Sequence, residues 1–215
     1  MPFTNTWDNF TNTYVDIFID ALNTLSDLEN LQNKEIKISE NLRSILQEEC
    51  FRRNKAARLN TTDDLQKDLI TPLCEVRTQE YDVKKKPDFS CVFANADAQC
   101  AEENELFLHI ECKRIGEGDL DRRYVTEGFM RYFDNDYRYG ANAKSGIMIG
   151  YKVSSDFATI QNNVNLALVH RRYSPVAFTN TGDTVIKYKN RYPRESFPPN
   201  QFTIHHIWCK VSIIQ

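Results

Sequence analysis

The segment SGIMIGYKV, Ser145 to Val153, is almost entirely apolar. Side chains on a strand point alternately to two faces, so a strand apolar on both must be covered on both. Strands of this kind lie in the middle of α/β sheets, with helices packed above and below. The rest of the chain must then supply helices for two faces and strands for two flanks. Trp7 to Leu31 carries Trp7, Phe10, Tyr14, Ile17, Phe18, Ala21, Leu25 and Leu28 at largely helical spacing. Ser39 can cap a second helix with Ile38, Leu42, Ile45, Leu46 and Cys50 on one face. Residues 73–81, 87–94 and 105–115 read as strands, and 119–140 reads as a long amphipathic helix ending near Gly140. Residues 154–173 read as a further helix capped by Ser154 or Ser155, followed by strands over 184–190 and 201–214. The order α-α-β-β-β-α-β-α-β-β is mixed α/β, and the 215 residues suit a single domain.

The formal charge of −3 argues against a protein that grips nucleic acid by electrostatics alone. Any such contact must be local, metal-bridged or shared with a partner. The N-terminus lacks a basic region followed by an apolar run, and no apolar stretch is long enough to span a bilayer, so the expected location is cytoplasmic. Cys50, Cys74, Cys91, Cys100, Cys112 and Cys209 form no C-x-x-C pair, which leaves a zinc ribbon unsupported and suggests buried thiols. His205 and His206 point to opposite faces of one strand, so strand packing is the better reading of the pair. His109 is expected to be structural too.

The informative stretch is ELFLHIECKRI, residues 105–115. Leu106, Leu108, Ile110 and Cys112 share one face, while Phe107, His109, Glu111 and Lys113 share the other. Glu111 and Lys113 then project side by side, roughly 6.6 Å apart. If 87–94 pairs with this strand as a hairpin, Asp88 joins them. Two carboxylates that close resist ionising together, and a divalent cation removes the conflict. Mg²⁺ suits the pair because it takes one or two carboxylates and keeps its other positions for water and phosphate. Lys113 would orient a water or offset developing charge; acting as a base would require its pKa to fall well below ~10.4. The plainer alternative is a surface ion pair contributing about 0–1 kcal/mol.

Pro87-Asp88 followed by Glu111-Cys112-Lys113 resembles the PD-(D/E)XK nuclease superfamily, over about residues 38–153. The resemblance implies a restriction-endonuclease-like core, α-β-β-β-α-β, with residues 1–37 as an N-terminal helical extension and 154–215 adding a helix and β-strands. It makes Asp88 and Glu111 metal ligands, adds the main-chain carbonyl of Cys112, and makes Lys113 the catalytic lysine. A glutamate from the first core helix is expected as well, with Glu40 the first choice and Glu49 its rival. The implied activity is Mg²⁺-dependent cleavage of DNA, with Mn²⁺ substituting and one or two ions left open. Lys84, Lys85 and Lys86 are candidates for flanking phosphates, and Arg131 with Tyr124 for a phosphate contact from the helix after the catalytic strand. An intrahelical Glu127–Arg131 pair is the alternative for that arginine. The basic and aromatic runs HRRY (170–173) and KYKNRYPR (187–194) suit backbone contact with stacking, or simply charged ends. The absence of a DNA-reading module fits a subunit of a restriction or anti-phage assembly with a partner supplying recognition. The alternatives are a repair or junction-resolving nuclease acting as a homodimer, and a non-catalytic binding or assembly subunit.

Overall fold

The computed structural model describes residues 7–60, 73–74, 86–94, 105–141, 143–179 and 183–214. The elements are α1 (Trp7–Ser26), β1 (Leu31–Gln32), α2 (Glu35–Asn60), β2 (Leu73–Cys74), β3 (Phe89–Ala94) and β4 (Glu105–Ile115). There follow α3 (Gly118–Arg123), a π-type turn over Tyr124–Gly128, a 3-10 turn over Phe129–Tyr132 and β5 (Ser145–Lys152). Last come α4 (Phe157–His170), β6 (Val185–Pro193), β7 (Gln201–Lys210) and β8 (Ile213–Ile214). The main sheet runs β2-β3-β4-β5-β7-β6; β4, β5 and β7 are parallel, and β3 and β6 are antiparallel to their neighbours. The fold is thus mixed α/β, a mixed sheet flanked by helices.

β5 sits inside the sheet, and Ser145 to Tyr151 are all buried, as its apolar reading requires. One face packs Leu108, Ile110 and Cys112 of β4 and Ile147 and Ile149 of β5 against Phe18, Ile38 and Leu42 from α1 and α2. The other packs Ile115, Met148 and Trp208 against Tyr124, Phe129 and Phe157. Among the described cysteines, Cys50, Cys91, Cys112 and Cys209 are free and buried. No described helix is long and apolar enough to cross a membrane.

Several boundaries differ from those read off the sequence. α2 begins at Glu35, four residues before Ser39, and an acid in the first turn complements the helix N-terminus. Ser39 lies inside the helix, its hydroxyl 3.2 Å from that of Tyr151. α4 is capped by Asp156, whose Oδ1 accepts from the Thr159 N–H at 2.8 Å. Ser154 and Ser155 instead donate to the Gly116 carbonyl. Residues 119–140 do not form one helix. Gly128 adopts φ −117 and ψ −80, and a Cβ there would come within 2.6 Å of Met148 Cε and 3.2 Å of Lys113 Cγ. The chain is pressed flat on the sheet at this glycine, and the regular helix ends before it. Of the 73–81 strand only β2 is described; residues 75–81 lie outside the described residues. The last predicted strand divides into β7 and β8, and β8 pairs in parallel with β1.

His205 and His206 do face opposite sides. His206 is fully buried, with Nδ1 2.8 Å from the Tyr124 hydroxyl and Nε2 3.0 Å from that of Tyr192. A neutral imidazole offers one donor and one acceptor, so one tyrosine donates and the other accepts. Burial, then the neighbouring His205, pushes the His206 pKa down to about 3 from 6.5. Between those values the unfolded chain binds a proton that the folded chain refuses, so stability is lost as pH falls through the window. In His206→Gln, urea titrations between pH 6.5 and 4 should give an unfolding free energy whose slope against pH is shallower by about one proton. An unchanged slope would show that the imidazole is not held neutral.

Candidate active site

Pairing of Phe89 with Ile110 sets Asp88 opposite Glu111, on the same face of the sheet. Asp88 Oδ2 accepts from the Cys112 N–H at 2.7 Å, which prolongs the β3–β4 ladder by one side-chain bond. Glu111 is fully buried. Its Oε1 accepts from Lys113 Nζ at 2.6 Å and from Arg131 Nη1 at 2.5 Å. Its Oε2 is buried without a hydrogen-bond partner. The ammonium of Lys113 also donates to the Cys112 carbonyl at 2.9 Å and to Glu35 Oε1 at 3.1 Å. Glu35 Oε2 accepts from the Arg114 N–H at 3.0 Å. Three carboxylates thus face two fixed cations, one negative charge in excess.

Burial, then the charge of Asp88, raises the Glu111 pKa to about 7 despite Lys113 and Arg131. Burial raises Asp88 as well, opposed by Lys113 and the Cys112 N–H. For Lys113, burial works against the charged form, but the carboxylates of Glu111, Glu35 and Asp88 outweigh it and hold the pKa well above its ordinary value. Lys113 is therefore an ammonium at neutral pH. Its three N–H groups are taken by Glu111, the Cys112 carbonyl and Glu35, so it offsets charge as a fixed cation and is no general base.

Asp88, Glu111 and Lys113 come together here, and Arg131 joins them. The Cys112 carbonyl accepts from the Lys113 ammonium. The helix glutamate at the site is Glu35, which the sequence reading passed over. Glu40 is exposed and paired with Lys37, while Glu49 binds Arg52 and Arg53. Glu35 and Glu40 are five residues apart, about 140° around the helix, so one helix cannot aim both at one place. The available signal was the acid just after Asn33-Lys34, at a helix start four residues earlier than Ser39 suggested. Tyr124 is fully buried, its hydroxyl 2.8 Å from His206 Nδ1. Glu127 lies 3.8 Å from Arg123, not beside Arg131. Lys86 is half-buried, and Lys84 and Lys85 lie outside the described residues. Ile186 and Tyr192 turn toward the core, so the aromatic residue of the 187–194 run at Tyr192 is not open for stacking.

A cleft of about 500 Å³ reaches the edge of the cluster at Glu35 and Lys113, with Arg114, Arg123 and Glu127 also in its walls; Asp88, Glu111 and Arg131 do not line it. A larger groove of about 700 Å³, walled by Thr11, Lys144, Lys189 and Arg191, includes none of the clustered acids. Among the described residues no three His, Cys, Asp or Glu side chains form a ready-made metal cage. This does not disfavour Mg²⁺, which binds through one or two carboxylates and retains water. The unpartnered Glu111 Oε2, beside a second carboxylate, fits such an ion.

Loss of Glu35 should cost more than loss of Glu40. Glu35→Ala removes two hydrogen bonds, one to a charged group, and should lower unfolding free energy by about 1 kcal/mol in urea titration. Glu40→Ala removes an exposed pair and should stay within about 0.5 kcal/mol. Equal losses would mean that Glu35 does not anchor the cluster. No protein-family model, curated protein or solved structure matches this chain.

Proposed function

We propose that this chain is a Mg²⁺-dependent nuclease that hydrolyses DNA phosphodiesters, on a core of the restriction-endonuclease type. The observation that carries the reading is Glu111: a carboxylate wholly inside the protein, one oxygen without a partner, beside Asp88 and facing a protonated lysine and an arginine. Asp88 and Glu111 would hold the ion. When bound, Mg²⁺ lowers the pKa of a coordinated water and offsets charge on the phosphoryl group. The chain's own groups do the remainder. The Cys112 N–H fixes Asp88 in one orientation. Glu111, Glu35 and the Cys112 carbonyl fix the Lys113 ammonium, whose positive charge would offset the charge that develops on the phosphoryl group. Arg131 adds a second positive charge at Glu111 Oε1. Lys34, Arg114 and Arg123 border the cleft and supply the local contact that an acidic chain needs for a phosphate backbone. The choice of DNA over RNA rests on the resemblance alone, as does the setting in a restriction or anti-phage assembly.

One observation favours a second reading. Lys113 and Arg131 already neutralise most of the cluster, as they would in a non-catalytic subunit that kept the fold for assembly. Supercoiled plasmid separates the two. The enzyme should nick it with Mg²⁺ or Mn²⁺ and not in EDTA, and Asp88→Ala, Glu111→Ala and Lys113→Ala should each lose at least about 100-fold. Cleavage that survives in all three variants would end the nuclease assignment of this site. Inactivity of the wild type on linear, supercoiled and branched DNA alike would favour the assembly subunit.

A further inference from the structure

We infer that the basic groove between α1 and the edge strand β6 holds one strand of a nucleic-acid backbone by its phosphates, on the face of the sheet opposite Glu111. This does not depend on the nuclease reading. Alternation along β6 sends Ile186 and Tyr192 into the core and leaves Lys187, Lys189 and Arg191 exposed on the other face. Pairing sets Lys187 beside Ile207, Lys189 beside His205 and Arg191 beside Thr203, on the face where Ile207 packs against α1. Glu111 lies on the other face, level with Met148 and His206. Lys144 joins the groove from the residue before β5. Neither Lys144, Lys187, Lys189 nor Arg191 is in an ion pair among the described residues. In a chain of net charge −3 these cations make a local positive field, whose complement is an anion.

The groove, about 700 Å³ in volume, has Asp8 and Asn12 of α1 in one wall and Lys189 and Arg191 in the other. Its width is set at Ser145, whose hydroxyl accepts from Trp7 Nε1 at 2.8 Å and lies 3.1 Å from that of Thr11. The Lys144 carbonyl accepts from the Thr203 N–H at 3.0 Å, which ties the fourth cation to the same strands. His205 lies in the groove only 6 % exposed, and its ring makes no hydrogen bond among the described residues. Burial, then Lys189, pushes its pKa down to about 4 against the pull of Asp8, so at neutral pH it brings an N–H rather than a charge. The basic row on β6 repeats every ~6.6 Å, close to the separation of successive phosphates along one extended strand. Asp8 across the groove would repel a second row of phosphates. No Phe, Tyr or Trp among the described residues lines the groove, so it has no floor on which a base could stack, and the contact is to the backbone alone. Lysines on an edge strand also deter pairing with another chain, but that role explains neither Lys144, which lies off the edge, nor the buried His205.

The test is fluorescence anisotropy of a labelled oligothymidylate of about 20 nucleotides, titrated with the full chain in EDTA between about 50 and 200 mM KCl. EDTA removes any metal bridge and any cleavage, so the readout is independent of the Glu111 cluster. The wild type should bind, more weakly as salt rises. Lys189→Glu with Arg191→Glu should weaken binding at least about tenfold and flatten the slope of log affinity against log salt by about 1.4, the share of two phosphates. Arg43→Glu with Lys55→Glu makes the same charge change at exposed positions of α2 and should stay within about twofold of wild type. Should the β6 reversal fail to fold by circular dichroism, Lys189→Gln with Arg191→Gln takes its place. No binding by the wild type, unchanged binding in the β6 variant, or equal losses in both pairs would each overturn the inference. Displacement of the DNA just as readily by poly-glutamate of matched charge would overturn the assignment to nucleic acid. None of these results bears on the nuclease reading, which metal-dependent nicking decides.

Discussion

A carboxylate with no exposed surface has to be neutralised from within the protein, and most of this structure's local arrangement answers to that need at Glu111. Alone in a medium of low polarity the charge would cost several kcal/mol, and the group would take up a proton instead. Lys113, two residues on, and Arg131, from a segment folded back on the sheet, supply positive charge; Asp88 and Glu35 restore negative charge. The result keeps one negative charge in excess and is not closed, because one oxygen of Glu111 has no partner. Buried polar atoms are almost always satisfied in folded proteins, and Glu111 Oε2 is one of the exceptions here.

The strand that carries Glu111 serves two masters. Leu108, Ile110 and Cys112 hold it against α1 and α2, where the apolar core gives it rigidity. The alternate residues Glu111 and Lys113 carry the charged cluster. A period of two lets one segment do both, and a site mounted on a central strand is placed more exactly than one on a loop. Gly128 completes the arrangement. Its missing side chain lets the following turn lie on Met148 and Lys113, which is how Arg131 reaches across to Glu111.

Where the sequence was read correctly, a single strong pattern governed the outcome. The apolar run at 145–153 had to lie inside a sheet, the alternation in 105–115 had to divide core from site, and Asp88 followed from the hairpin. Misreadings arose where two plausible signals competed. Ser39 has the chemistry of a cap, but its hydroxyl meets Tyr151 across the core, and the true helix start four residues earlier brings in Glu35. Ser154 and Ser155 were equally good cap candidates and both turned to the Gly116 carbonyl, leaving Asp156 to do it. The 119–140 stretch keeps an amphipathic period that says nothing of a glycine pressed against a neighbouring strand. Tyr124 and Arg131, seven residues apart, would share a side on a regular helix. Off that helix they part, one to a buried histidine and the other to the acids.

β1 and β8 are two residues long each, yet they join distant parts of the chain: the Leu31 N–H donates to the Ser212 carbonyl at 2.9 Å, just ahead of the turn that opens α2 and delivers Glu35. Contacts between segments so remote in sequence form late, because a long loop must close first. During synthesis the acids on β3 and β4 therefore emerge well before the residues that brace their helical companion. A growing polypeptide would carry the cluster unbraced until Ile213 and Ile214 had left the ribosome.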